Sequence, residues 1–199
     1  MNEGRVESLA PEDVARANLY GLVSRLFYAP ADPNLLAEIC RAGAGEAEAG
    51  GLVPAWRALQ EACRSAYPPV VKQEYDTLLV GVGKAEVTPY LAAYAEPNSP
   101  DRYLLRLRQQ LSAWGLARRN MVFEVEDHMS GVSDVMRWLI EAGRPLEEQR
   151  EFFRSFVCPG ALPFCAAVQQ AASVRFYKPV AAFTVSFLEI EEVAFEMEC

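Results

Sequence analysis

The chain is predicted to fold as a single all-α domain, and three observations carry that prediction. Proline-led or cap-led starts recur along the sequence, apolar residues follow them at helical spacing, and strands do not alternate with helices anywhere. With 199 residues, 51% of them hydrophobic, the chain can bury a core without disulfide or metal staples. The predicted unit is 1–199, a bundle-like fold of about eight to ten helices. Its ends, 1–10 and 193–199, are expected to be flexible, and 41–51 and 81–98 to be loops.

Each element has its own signal. Pro11 to Tyr28 opens with a proline and acids, then carries Ala15, Leu19, Leu22, Val23, Leu26 and Phe27 as one stripe. Asp32-Pro33 is an N-cap followed by a proline in the first turn, and opens a short helix through Cys40. After the glycine-rich run 41–51, Trp56, Leu59 and Cys63 mark a third helix. Pro68-Pro69 starts a fourth, with Val71, Tyr75, Leu78 and Leu79 on its inner side. Ser99-Pro100 is a second cap-plus-proline start, and that helix stops at Gly115. Helices over Glu126–Glu141, Pro145–Val157 and Leu162–Val174 follow. The last stretch, Phe176 to about Glu192, is rich in β-branched and aromatic residues. Val180, Phe183, Phe187 and Ile190 nevertheless keep helical spacing, so it is expected to be helix.

Composition narrows the function. The net charge of −8 disfavours general binding to nucleic acid or anionic membrane, since both need a positive field. It suits a basic partner. The polar first ten residues do not read as a secretory leader and no segment is apolar for long enough to span a bilayer, so a cytoplasmic chain is expected. The five cysteines form no CxxC pair and have one histidine, His128, to join them, which argues against a metal centre.

The densest candidate cluster is Phe123-Glu124-Val125-Glu126-Asp127-His128. Acids at a helix start can simply complement its dipole, and His128 continues the stripe Val132, Val135, Leu139. The same residues can also form a polar mouth on an apolar groove, with carboxylates facing a cation. A third reading is a small helical hydrolase using Glu124, Asp127 and His128 in acid–base work, although no nucleophile elbow or phosphate loop accompanies them. A generic helical adaptor is a fourth. Arg102, Arg106, Arg108, Arg118 and Arg119 form a basic patch opposed locally by Asp101 alone, and Glu189, Glu191, Glu192, Glu196 and Glu198 form an acidic tail. Both read most simply as solvated faces.

Three segments together resemble the TorD/DmsD/NarJ family of redox-enzyme maturation chaperones. Glu74-Tyr75-Asp76-Thr77-Leu78-Leu79-Val80-Gly81-Val82-Gly83 is similar to the family's Y-x-x-L-F and glycine–proline–glycine turn. Thr88-Pro89-Tyr90 with Tyr94 resembles P-Y-E-S-x-Y, and Glu124-Val125-Glu126-Asp127-His128 resembles E-P-x-D-H. Leu79, Val82, Val125 and Leu91-Ala92 depart from those patterns. The resemblance implies an all-helical, non-enzymatic chaperone of a molybdenum-containing oxidoreductase subunit. Such a chaperone binds the twin-arginine leader or body of its client, delays export and assists cofactor insertion. It implies a peptide site drawn from Asp127, His128, Glu124, Glu126, Tyr75, Leu79, Pro89 and Tyr90, with no catalytic residue and no metal. It implies no resident cofactor, no nucleic-acid partner and no stable membrane insertion. Which client is served, whether molybdopterin cofactor or a guanine nucleotide is touched, and the oligomeric state stay open.

Overall fold

A computed structural model describes residues 9–43, 51–81, 84–117 and 125–197. Ten α-helical segments run through them: α1 (Pro11–Tyr28), α2 (Pro33–Arg41), α3 (Leu52–Ser65), α4 (Pro68–Tyr75), α5 (Ala92–Ala95), α6 (Pro100–Ala113), α7 (Met129–Glu141), α8 (Leu146–Phe152), α9 (Cys158–Gln170) and α10 (Tyr177–Met197). A π-helical turn, Asp76–Val80, prolongs α4, and another, Phe153–Val157, joins α8 to α9. Among the described residues the only β contact is an isolated antiparallel bridge between Tyr90 and His128. The all-α prediction therefore holds.

The predicted starts are real, for the predicted reasons in most cases. Prolines open α1, α2, α4 and α6, and the Asp32 carboxylate accepts from Asn34 N (2.7 Å) and Leu35 N (3.0 Å). Ser99 departs from expectation, because its side chain makes no cap hydrogen bond. Two boundaries also move. Helix α7 begins at Met129 rather than Glu126, with His128 as its N-cap, so the acids precede the helix instead of lying in its first turn. Helix α9 begins at Cys158, out of the π turn, and carries Pro163 inside it. Pro163 forfeits a single backbone donor, and the buried faces of Ala161, Phe164, Cys165 and Val168 hold the helix together.

The expected loop 81–98 contains α5, and the expected flexible end 193–199 is helical as far as Met197. Phe195 explains the second departure: it is buried, packs on Phe153 at 5.3 Å between centroids, and carries the Arg16 guanidinium over its ring. The strand-like composition of α10 is resolved by packing on several sides, with Tyr177, Val180, Phe183, Phe187 and Leu188 all buried. Thr184 satisfies its hydroxyl within the helix, donating to Val180 O at 2.9 Å.

Helices α1 and α7 pack along one another, while α10 packs on α3 and α9. Two buried carboxylates tie these layers together. Glu191, expected on a solvated acidic face, is 2% exposed and accepts from Arg16 Nε (2.8 Å), Arg16 Nη2 (3.0 Å) and the Tyr20 hydroxyl (3.0 Å). Glu74 accepts from three successive backbone N–H groups at the start of α10: Arg175 (2.8 Å), Phe176 (2.9 Å) and Tyr177 (2.9 Å). Beside it, the Tyr75 hydroxyl donates to the carbonyls of Phe27 (3.0 Å) and Tyr28 (2.9 Å), the last of α1. Adjacent residues of α4 thus close the open ends of the two longest helices.

Glu74→Ala is expected to cost about 3 kcal/mol, since it takes the acceptor from three backbone donors, two of them buried. Urea unfolding checks this as a lower midpoint at unchanged slope, and an unchanged midpoint would show that water replaces the carboxylate without penalty.

Candidate functional site

The second and third sequence motifs come together. Residues 88–92 and 125–129 run antiparallel for a few residues: Met129 N donates to Pro89 O (2.9 Å), and Leu91 N donates to Asp127 O (2.9 Å). The approach needs a small residue beneath it. A Cβ on Gly160 of α9 would lie 2.7 Å from Leu91 Cβ and 2.9 Å from Leu91 O. Within this clasp Asp127 is 4% exposed and accepts from Ala92 N at 3.2 Å, which makes it the cap of α5. Burial pushes the Asp127 carboxyl above its ordinary range, and the Ala92 hydrogen bond opposes that rise.

His128 is also buried. Its Nδ1 accepts from Ser130 N (3.2 Å), lies 2.7 Å from Ser130 Oγ, and its ring stands edge-on to Tyr90 at 5.6 Å. That cap requires a neutral imidazole with Nδ1 unprotonated. The Asp127 carboxylate therefore caps one helix and the imidazole caps another. In these contacts both side chains position backbone.

An accessible cavity lies beside this clasp. A space of about 700 Å³ opens between α1, α7 and the end of α6. Its apolar wall is Leu111, Leu116, Val135 and Trp138; its acidic groups are Glu126, Asp134 and Glu141. Tyr28, 54% exposed, also lines it from the end of α1. Of the residues expected from sequence, Glu126 and His128 line this cavity. Tyr75, Leu79, Pro89 and Tyr90 do not, and neither does Asp127. Tyr75, in α4, and Leu79, in the π turn that prolongs it, are buried in the core. Glu124 lies outside the described residues, as do Val82, Gly83, Phe123, Arg118, Arg119, Glu198 and Cys199.

Sequence reasoning missed Asp134, Arg137, Trp138 and Glu141. The signal was present: an acid, an arginine and an acid at i, i+3 and i+7 on the polar side of α7. Arg137 Nε donates to Glu141 at 2.8 Å, and that bond raises the Arg137 pKa further above its ordinary value. The basic patch of α6 is likewise engaged, Arg106 pairing with Glu96 and Arg108 with Glu126 (3.0 Å). Among the described residues no three His, Cys, Asp or Glu side chains converge to hold a metal, and no helix is long and apolar enough to cross a membrane. The cysteines there are free thiols: burial pushes Cys63 up to about 12 and Cys165 higher still.

The nitrate reductase delta subunit family model matches residues 46–166, more than half of the chain. The chain belongs to this family. Its members are redox-enzyme maturation chaperones rather than enzymes, so the resemblance carried by the three motifs was to the right group. The fold is also that of a crystal structure from Archaeoglobus fulgidus, of a protein assigned to redox-enzyme maturation. The two share 20% sequence identity over 96% of this chain and 99% of that one, with a TM-score of 0.57. No curated protein matches the sequence significantly. A redox enzyme is accordingly the partner class of this chaperone.

Asp127 separates positioning from binding by substitution. Asp127→Asn keeps an acceptor for Ala92 N and removes the buried charge, so it should be at least as stable as wild type at pH 7. Because burial raises the folded pKa, the ionised carboxylate costs stability at neutral pH. The advantage of Asn should therefore shrink as pH falls through the raised pKa towards the unfolded value of about 3.9. Asp127→Ala should lose about 1–3 kcal/mol instead. Thermal melts of both variants from pH 4 to 7 test this, and Asn being as damaging as Ala would show that the charge itself is required.

Proposed function

We propose that this chaperone holds the twin-arginine leader of a molybdenum-containing oxidoreductase subunit in the cavity between α1 and α7. It thereby delays export until the cofactor is loaded, and works in the cytoplasm. One observation carries the reading: an apolar wall of Leu111, Leu116, Val135 and Trp138 stands beside Glu126, Asp134 and Glu141, and two of those acids already hold guanidiniums, Glu126 that of Arg108 and Glu141 that of Arg137. A leader presents the complementary chemistry, with two adjacent guanidiniums followed by an apolar stretch. Carboxylates receive guanidinium forks through paired, charge-assisted hydrogen bonds, and an ammonium cannot reproduce that geometry. Asp127 and His128 contribute by fixing the segment that carries Glu126, and His128 adds part of the cavity wall.

Calorimetric titration with leader peptides and their double-lysine counterparts tests the proposal. Micromolar binding of one leader is expected, weakened about tenfold (~1.4 kcal/mol) by lysine and by a similar factor in Glu141→Gln. Equal affinity for the arginine and lysine peptides would contradict the acidic-site reading.

A further inference from the structure

A second cavity, of about 400 Å³, opens on the other side of α1 towards α2 and α3. Leu22, Leu35, Ile39 and Trp56 line it. It shares Gly21, Arg25 and Arg137 with the first, so the two meet at one place on α1. At that meeting point Arg137 lies across the helix. A Cβ on Gly21 would sit 3.2 Å from Arg137 Nη1 and 3.3 Å from its Cδ, so the absence of a side chain there leaves the arginine its bed. The guanidinium is tethered to Glu141 and attracted by Asp134, while Arg25 is drawn off towards Glu38 at 2.7 Å.

We infer that the two cavities are lobes of one peptide groove, and that Arg137 is a displaceable strap across its waist. On this inference, which rests on the leader-binding reading above, the basic pair of the leader enters the acidic lobe and its apolar stretch lies in the second. Charge supports that polarity. Three acids border the first lobe, Glu126, Asp134 and Glu141, of which Glu126 pairs with Arg108 and Glu141 with Arg137, whereas among the described residues Glu38 is the one acid bordering the second, paired with Arg25. The second lobe carries the apolar side chains Leu22, Leu35, Ile39 and Trp56 between the polar Asn18 and the Arg25–Glu38 pair, and the Trp56 indole Nε1 is buried without an acceptor. Arg137 shows what the acidic lobe accepts: a guanidinium from this chain occupies Glu141 until one from the leader replaces it. Its side chain is 46% exposed and held by an i, i+4 pair of the weak surface kind, so it can swing clear at little cost.

The test compares a full leader peptide with a truncated one ending after the basic pair, titrated against wild type, Arg137→Ala and Leu22→Ser, with melting temperatures to confirm folding. Wild type should bind the full peptide about tenfold more tightly, as burial of even one large apolar side chain requires. Removing the strap should tighten the full peptide about two- to threefold, the worth of a competing exposed ion pair. Leu22→Ser should erase the advantage of the full peptide without altering the truncated one. Equal binding of both peptides by wild type, or weaker binding after Arg137→Ala, would overturn the two-lobed groove and leave leader binding standing. No binding of either peptide by wild type would overturn both. If Leu22→Ser proves unstable, the Arg137→Ala comparison still decides.

Discussion

The buried carboxylate of Glu74, with Tyr75 beside it, is the constraint on which the arrangement of the longest helices depends. Helix ends leave backbone groups unpaired, and a buried end must find partners for them. Glu74 supplies acceptors for three N–H groups at the start of α10, and Tyr75 supplies a donor for two carbonyls at the end of α1. Two neighbouring residues of α4 therefore fix where α1 stops and where α10 begins. The Arg16–Glu191–Tyr20 cluster makes a further tie between the same two helices. Once α1 is held in this way, its other face is free to pack along α7 and leave cavities on either side of Gly21.

The same logic places the acidic segment. The Asp127 carboxylate and the His128 Nδ1 each accept from a backbone N–H at a helix start, one at α5 and one at α7. What the clasp between 88–92 and 125–129 delivers is Glu126 at the cavity mouth, beside the acids of α7. Burial of Asp127 and His128 thus fixes the backbone that presents the accessible Glu126.

Much of this was legible in the chain itself. Pro11, Asp32-Pro33, Pro68 and Pro100 announced helix starts through local chemistry that does not depend on the rest of the fold. Periodicity identified α10 as helix in spite of its β-rich composition. What could not be read was where side chains point after tertiary packing. Asp127 looked like a first-turn acid, but its carboxylate bonds a backbone amide 35 residues away. Glu191 looked solvated in a run of acids, and Arg16, 175 residues distant, is what pulls it inside. Tyr75 and Leu79 read from their stripe as the inner side of a helix and are buried there, although the family resemblance counted them in the peptide site. Asp134, Arg137 and Glu141 were visible as a charged face of α7, but only the position of α1 turns that face into a cavity.

The most direct test of the account is to map where a leader peptide touches the protein, by following backbone amide signals of isotope-labelled chaperone during titration. The account predicts shifts concentrated in 21–28, 125–128 and 134–141, with the amides of 74–79 unmoved. Shifts centred on 74–79 and 89–94, with α7 silent, would contradict it and return the peptide to the first two sequence motifs.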